Sequence, residues 1–286
     1  MTAAGGLLPT FLGIGCPRAG TTWLHELLAT HPQVRMPTIR KELNFFDLNY
    51  HRGLEWYEQC FARGSPGEPR AVGEITPVYV YSDACRERIR ALGTVDRFLV
   101  CIRDPVALLW SAYRQACALD NFTGDLAAFM RARPDAVRNG FYARALRPWI
   151  DEFGLDAFLF LRLEEMTTDV EGTKRALGKF LDVDPDLFPP EAGQLRPNRS
   201  AVPRFRRTYS LMHRAGTALH RADLSWVVNL GKRLGALRLV SREAHEDGTL
   251  LTAAGRRRLA ELYRDDLVEF GRLTGQDLSS WLDDET

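Results

Sequence analysis

The stretch GIGCPRAGTTWL, residues 13–24, contains residue types that bind phosphate groups. An apolar run from Phe11 to Ile14 leads into a glycine-containing turn, and a helical pattern follows it. Backbone N–H groups at a helix N-terminus bond to anions, and the helix dipole favours negative charge there. The residues expected to present these groups are Ala19, Gly20, Thr21, Thr22 and Trp23.

The charge in this turn comes from Arg18, whose guanidinium offers several donors in a fixed geometry. The triphosphate-binding loop GxxxxGK[ST] requires a lysine before its Ser or Thr. Here Gly20 is followed directly by Thr21, so the turn departs from that loop. The pattern therefore predicts a phosphate cradle of another kind, or a strand-to-helix turn capped by its threonines.

A second candidate anion site lies in CIRDPVALLWSAYRQ, residues 101–115. Arg103 follows a continuous apolar run of the buried parallel-strand type. Pro105 occupies the position of a first helical residue, and Ser111 lies two turns into that helix. An arginine in isolation is more often ion-paired at the surface, but this arrangement predicts a second pocket.

The stretch IRKELNFFD, residues 39–47, contains a candidate general base. Lys41 and Glu42 precede two phenylalanines, Phe45 and Phe46. A partly buried carboxylate beside a cation can stay ionised and accept a proton. The alternative is a surface Lys–Glu pair in front of an aromatic core anchor.

The elements that must position these residues alternate between strand and helix, which predicts an α/β fold with a parallel sheet covered on both faces. Ligands of such sheets bind beyond the carboxyl ends of the strands. The predicted strands are Phe11–Gly15, Ala71–Ile75, Arg97–Ile102 and Ala157–Leu163. A helix is expected over Glu164–Leu181, and no strand is expected after about residue 185. We expect one domain over residues 1–286, with a core at about 8–185 and a loop and helical part at about 186–286.

Composition limits the classes of protein and partner. The formal net charge of +1 gives no general attraction to nucleic acid. No stretch reaches the ~20 apolar residues that span a bilayer, and MTAAGGLLPTF lacks the charged start of a signal peptide. The five cysteines and six histidines are scattered without metal-ligand spacing. These features predict a cytoplasmic protein with reduced thiols and no metal; the oligomeric state is not readable.

In this order, PRAGTTWL, KELNFFD, YHRGLEWYEQCF, VGEITPVYVY and RFLVCIRDPVALLWSAYRQ resemble the sulfotransferases that use 3′-phosphoadenosine 5′-phosphosulfate (PAPS). The group with heparan sulfate sulfotransferases and their bacterial relatives is the most similar in pattern. The resemblance covers residues 11 to about 182. It implies a P-loop-like α/β fold and sulfuryl transfer from PAPS to a hydroxyl, with adenosine 3′,5′-bisphosphate as product.

The resemblance also implies roles for individual residues. The first turn would hold the 5′-phosphosulfate, with Arg18 in a place where the family often has lysine. Arg103 and Ser111 would bind the 3′-phosphate, which distinguishes PAPS from other adenosine nucleotides. Glu42 would be the catalytic base, and Lys41 would lie beside the transferring group.

Further positions follow from the resemblance with alternatives still open. Tyr142, in NGFYARALRPW, would line the nucleotide or acceptor side. Arg199, Ser200 and Arg204, in RPNRSAVPR, would close over the 3′-phosphate or adenine, or form a plain polar loop.

One motif departs from the family pattern. GEITP replaces the common GEKTP, so Ile75 stands in place of a lysine that contacts substrate or base. Glu74 keeps its place, either with a role in the site or as a capping residue. His51 is the alternative base if Glu42 does not serve.

The sequence does not identify the acceptor, and a small hydroxylated metabolite, sugar or lipid head group is expected. One rival interpretation is a P-loop kinase, for which Asp104 is the candidate magnesium ligand. The other is a PAPS- or nucleotide-binding module without activity.

Overall fold

A five-stranded parallel sheet lies at the centre of the molecule, with strand order β2-β3-β1-β4-β5. The computed structural model describes residues 7–62, 69–194, 201–203, 241–243 and 251–282. The strands are β1 Phe11–Gly15, β2 Val34–Arg35, β3 Ala71–Ile75, β4 Arg97–Ile102 and β5 Phe158–Arg162. The expected α/β fold with a parallel sheet is therefore confirmed.

The central strand β1 is buried along its whole length and pairs with a neighbour on each side. Phe11 lies opposite Gly73 of β3 and Arg97 of β4, both in parallel register. Strands buried on both faces need continuous apolar sequence, which FLGIG and RFLVCI supply. This arrangement brings the carboxyl ends of β1 and β4 side by side.

Helices connect the strands and continue beyond the sheet. Within the described ranges they are α1 Thr21–Ala29, α2 Gly53–Gln59, α3 Asp83–Leu92, α4 Pro105–Leu119, α5 Leu126–Ala132, α6 Pro134–Arg138, α7 Tyr142–Phe153, α8 Leu163–Thr168, α9 Val170–Leu181, α10 Ala253–Thr274 and α11 Ser279–Leu282.

Two expectations about the later part of the chain were wrong. The helix expected over Glu164–Leu181 is broken at Asp169, whose carboxylate accepts the Gly172 N–H at 2.8 Å and so begins a new helix. Ala201–Pro203 (β6) and Ser241–Glu243 (β7) also form an antiparallel pair, although no strand was expected there. Three-residue strands are too short for the period-two pattern to be recognised.

Helix α10 is attached to the sheet domain through α7 and α4. The carboxylate of Asp266 accepts the N–H groups of Ala143 at 2.9 Å and Arg144 at 3.0 Å. It therefore supplies a cap for the N-terminus of α7, which has no capping side chain of its own. Arg256 of the same helix pairs with Asp104 at 2.9 Å.

We expect Asp266→Ala to lower the free energy of unfolding by about 1–2 kcal/mol, because two N–H groups at a helix start lose their acceptor. The matched control is Asp265→Ala, which removes the neighbouring, exposed carboxylate of the same helix. Urea denaturation of both variants measures the difference. Equal losses in the two variants would show that the cap contributes nothing beyond removal of a surface charge.

Candidate active site

The turn between β1 and α1 depends on a glycine at position 20. Gly20 has φ +92°, a left-handed conformation that side chains disfavour. A Cβ there would also lie 2.7 Å from Leu163 Cδ1 and 2.9 Å from Met166 Cε. The close packing of α8 on this turn therefore fixes where α1 begins.

The N-terminus of α1 is open for an anion. Gly20 has no side chain to cap the helix, and the first turn has no acidic residue. The N–H groups of Thr21, Thr22 and Trp23 have no carbonyl within their own helix to bond. The Ala19 N–H, expected to join them, instead bonds to the Cys16 carbonyl at 3.3 Å.

Arg18 connects this turn to α4. Its guanidinium donates to Ser111 Oγ at 3.0 Å, although the two residues are 93 positions apart. The Arg18 Nε is buried and has no hydrogen-bond partner in the described structure. A buried donor without a partner is costly, so this nitrogen favours a bound anion.

Arg103 lies close enough to Arg18 for their charges to interact. Burial, reinforced by the positive charge of Arg103, lowers the pKa of the Arg18 guanidinium. The backbone of Arg103 is held by Tyr142, whose buried hydroxyl donates to its carbonyl at 2.5 Å and accepts its N–H at 3.2 Å. Ser111 and Arg103, predicted for the second pocket, therefore both lie near Arg18 of the first.

Lys41 joins the loop after β2 to the start of α1. Its ammonium donates to Thr21 Oγ1, Thr22 Oγ1 and Glu42 Oε1, each at 3.1 Å. Because the oxygen of each threonine accepts from Lys41, the hydroxyl proton of each threonine remains free to donate to an anion. The cation thus lies between the candidate base and the open helix terminus.

Glu42 is accessible, whereas the two phenylalanines of the same loop are buried. Its side chain is 43% exposed, so an acceptor can approach it. Phe45 and Phe46 are fully buried, and the Phe45 ring stacks on Tyr57 at 4.0 Å between centroids. The two phenylalanines therefore anchor the loop in the core.

Glu74 contacts the backbone of this loop and is fully buried. Its carboxylate accepts the Leu43 N–H at 3.2 Å. The sequence left its role open, since its partners are distant along the chain.

Two histidines lie near the motifs. Burial, together with the charge of Lys41, lowers the pKa of His25 to about 4, which makes it a weak base at neutral pH. His51, the alternative base, is exposed in a single helical turn, Tyr50–Arg52.

Asp104, the candidate magnesium ligand of the kinase interpretation, is engaged by the protein. One oxygen accepts the Val106 N–H at 2.9 Å and caps α4, and the other pairs with Arg256 at 2.9 Å. Its structural role as a helix cap disfavours that interpretation.

The remaining candidates divide by position. Trp23 is buried and its indole donates to the Gly193 carbonyl at 3.1 Å. Arg199, Ser200 and Arg204 lie outside the described residues. Across residues 7–62, 69–194 and 251–282, no three His, Cys, Asp or Glu side chains cluster in a way that could hold a metal ion. Within the same ranges, no helix is long and apolar enough to cross a membrane.

Comparison with known proteins identifies the class. The family model described as "Sulfotransferase domain" matches residues 8–200, and the chain belongs to this family. The fold resembles a crystal structure of a sulfotransferase from Alicyclobacillus acidocaldarius, with a TM-score of 0.65, 20% identity and coverage of 96% of this chain and 99% of that one.

Curated relatives include heparan sulfate glucosamine 3-O-sulfotransferases. The 3B1 enzyme of Mus musculus is 32% identical over 183 residues, which is 61% of this chain and 46% of the relative. Enzyme 6 of Homo sapiens is 34% identical over 182 residues, which is 60% of this chain and 52% of the relative. The chain thus matches about half the length of these relatives.

We expect Arg103→Ala to weaken binding of adenosine 3′,5′-bisphosphate by about 2–4 kcal/mol, the scale of a lost charge-assisted bidentate contact. Binding of adenosine 5′-phosphosulfate should barely change because this nucleotide has no 3′-phosphate. Isothermal titration calorimetry measures both affinities. Equal losses of affinity for the two nucleotides would show that Arg103 does not bind the 3′-phosphate.

Proposed function

We propose that this protein transfers a sulfuryl group from PAPS to a hydroxyl of a small-molecule, sugar or lipid acceptor, with Glu42 as general base. The observation that carries the proposal is the position of Lys41, which bonds both to Glu42 and to the threonines at the open start of α1. A base and an anion site are thereby held next to each other. Membership of the sulfotransferase family supports the reaction type.

The chain's residues fit the donor. The buried, partnerless Nε of Arg18 and the free N–H groups of α1 favour the 5′-phosphosulfate. We assign Arg103 and Ser111 to the 3′-phosphate, because Arg103 supplies positive charge and the Ser111 hydroxyl, which accepts from Arg18 at 3.0 Å, keeps its own proton free to donate. PAPS contributes the activated sulfuryl group, since its sulfur carries a good leaving group.

Transfer then requires one proton acceptor and charge stabilisation. Glu42 takes the hydroxyl proton while the acceptor oxygen forms a bond to sulfur. The bond between sulfur and the bridging oxygen breaks, and adenosine 3′,5′-bisphosphate leaves. Arg18 and Lys41 stabilise the negative charge that develops on the bridging oxygen, as preorganised donors do in other group transfers.

The exposure of Glu42 and the relatives support the proposed acceptor class. The printed names of the curated relatives specify heparan sulfate glucosamine, which is a sugar acceptor. The carboxylate is reachable from outside, so a hydroxyl on a sugar or small metabolite can approach it.

The proposal is tested by incubating the protein with ³⁵S-labelled PAPS and a panel of hydroxylated acceptors, with γ-labelled ATP in parallel. We expect label to move from PAPS to an acceptor, with no transfer from ATP. Phosphate transfer from ATP would support the kinase interpretation. Nucleotide binding without transfer to any acceptor in the panel would support the inactive module.

We expect Glu42→Gln to bind adenosine 3′,5′-bisphosphate normally and to lose sulfate transfer by roughly 10²–10⁴-fold, because the amide keeps the shape but cannot take a proton. His51→Ala is the control and should have a mild effect. Turnover assays and calorimetry measure the two quantities. Near-wild-type turnover in Glu42→Gln with a collapse in His51→Ala would move the base to the histidine.

We expect Arg18→Ala to reduce kcat by roughly 10²-fold or more, because its contact strengthens as charge develops on the bridging oxygen. Arg18→Lys should retain substantial activity, since the positive charge is kept. Steady-state kinetics of both variants make the comparison. If the lysine variant were as inactive as the alanine variant, guanidinium geometry rather than charge would be the determinant.

A further inference from the structure

The loop that carries Lys41 and Glu42 is tied to the core through one buried carboxylate. Glu74 Oε2 accepts the Leu43 N–H at 3.2 Å and the Thr76 hydroxyl at 2.6 Å. Its Oε1 accepts the hydroxyls of Tyr79 at 2.8 Å and Tyr57 at 3.2 Å. All four partners approach as donors, so the carboxylate is the acceptor for the whole cluster.

The direction of these hydrogen bonds is set by the loop backbone. The Asn44 N–H donates to Thr76 Oγ1 at 3.3 Å, which leaves the Thr76 proton to point at Glu74. The Phe46 N–H donates to the Tyr79 oxygen at 3.3 Å, which directs the Tyr79 proton in the same way. Three backbone N–H groups of one loop are therefore connected to a single carboxylate, one by a direct hydrogen bond and two through a hydroxyl group.

We propose that Glu74 is a positioning residue that fixes Glu42 and Lys41 against the start of α1. Glu42 immediately precedes Leu43, whose N–H is held by Glu74 and whose carbonyl accepts from Asn49 at 2.8 Å. With both backbone groups of Leu43 bonded, the Cα of the preceding residue has little freedom to move. This inference deepens the proposed function, since the loop matters for catalysis only if Glu42 and Lys41 act there.

The substitution Glu74→Gln would keep the shape of the side chain but would leave one acceptor oxygen in place of two. An amide has one oxygen and one NH₂ group, so at least one of the four donors would face another donor. A buried donor without an acceptor destabilises its local arrangement, and the loop that supplies the N–H groups is the part able to move.

The groups that face Glu74 make it the titrating member of this cluster. Burial raises the pKa of its carboxyl to about 7, against the hydrogen bonds it accepts, which lower it. Burial also raises the pKa values of Tyr57 and Tyr79 well above that of an ordinary tyrosine. Cys85 of α3 has a pKa raised by burial to about 11. These three neighbours stay neutral around pH 7, whereas Glu74 gains a proton below pH 7. The protonated carboxyl is then uncharged, like the amide of glutamine.

The test compares wild type with Glu74→Gln in the full chain. Hydrogen exchange followed by mass spectrometry should show faster exchange in the peptide covering residues 40–47, with adenosine 3′,5′-bisphosphate affinity within about 2-fold of wild type. Sulfate transfer should lose roughly 10-fold or more in kcat, because small displacements of a reacting group are costly. Asp169→Ala, which removes a helix cap in α9, is the control for a general loss of stability.

The pH dependence separates positioning from a merely structural role. The ratio of wild-type to Glu74→Gln kcat should be larger at pH 8 than at pH 6, since wild-type Glu74 is protonated at the lower pH. Any titration of Glu42 common to both proteins cancels in this ratio. Tyr57→Phe removes one donor to the ionised carboxylate and should shift the acidic limb of wild-type activity to higher pH.

The proposal is overturned if loop exchange in Glu74→Gln equals that of wild type, or if kcat falls no further than in Asp169→Ala at equal loss of stability. If Glu74→Gln does not fold, an unshifted pH profile in Tyr57→Phe overturns it instead. Wild-type turnover in Glu42→Gln would refute the base assignment while the exchange result for Glu74→Gln still reports on the loop.

Discussion

The hydrogen bonds of Lys41 hold the candidate active site together. One ammonium contacts both threonines at the start of α1 and the carboxylate of Glu42, each at 3.1 Å. Without it, the candidate anion site between β1 and α1 and the candidate base on the loop after β2 would lie on two unconnected segments. The cation also keeps the exposed carboxylate oriented towards the place where the donor's charge would lie.

The second constraint is a concentration of positive charge where the strands end. Arg18 and Arg103 follow the carboxyl ends of β1 and β4, and Lys41 contacts the start of α1. Burial together with the charge of Arg103 lowers the pKa of Arg18. Ser111 accepts a hydrogen bond from Arg18, and Thr21, Thr22 and the Glu42 carboxylate accept from Lys41. Tyr142 holds the backbone of Arg103.

The sequence predicts the parts of this structure that depend on local pattern. The strands β1, β3 and β4 were predicted at their observed bounds, since buried parallel strands need continuous apolar runs. The two-residue strand β2 and the five-residue helix α6 are too short to show a recognisable periodic pattern of apolar residues. The bond from Arg18 to Ser111 and the cluster around Glu74 join distant positions, so no local pattern contains them. The order of the motifs was therefore enough to predict the candidate residues, whereas their hydrogen-bond partners are known only from the tertiary structure.

The central claim is that these cations form a site for a nucleotide with a 3′-phosphate. Titration calorimetry of the wild-type protein with adenosine 3′,5′-bisphosphate, ADP and ATP, each with and without Mg²⁺, tests it most directly. The bisphosphate is expected to bind at least about 10-fold more tightly than ADP or ATP, with no requirement for Mg²⁺, because an additional charge-assisted contact has that scale. Tighter binding of ATP in the presence of Mg²⁺ would contradict it.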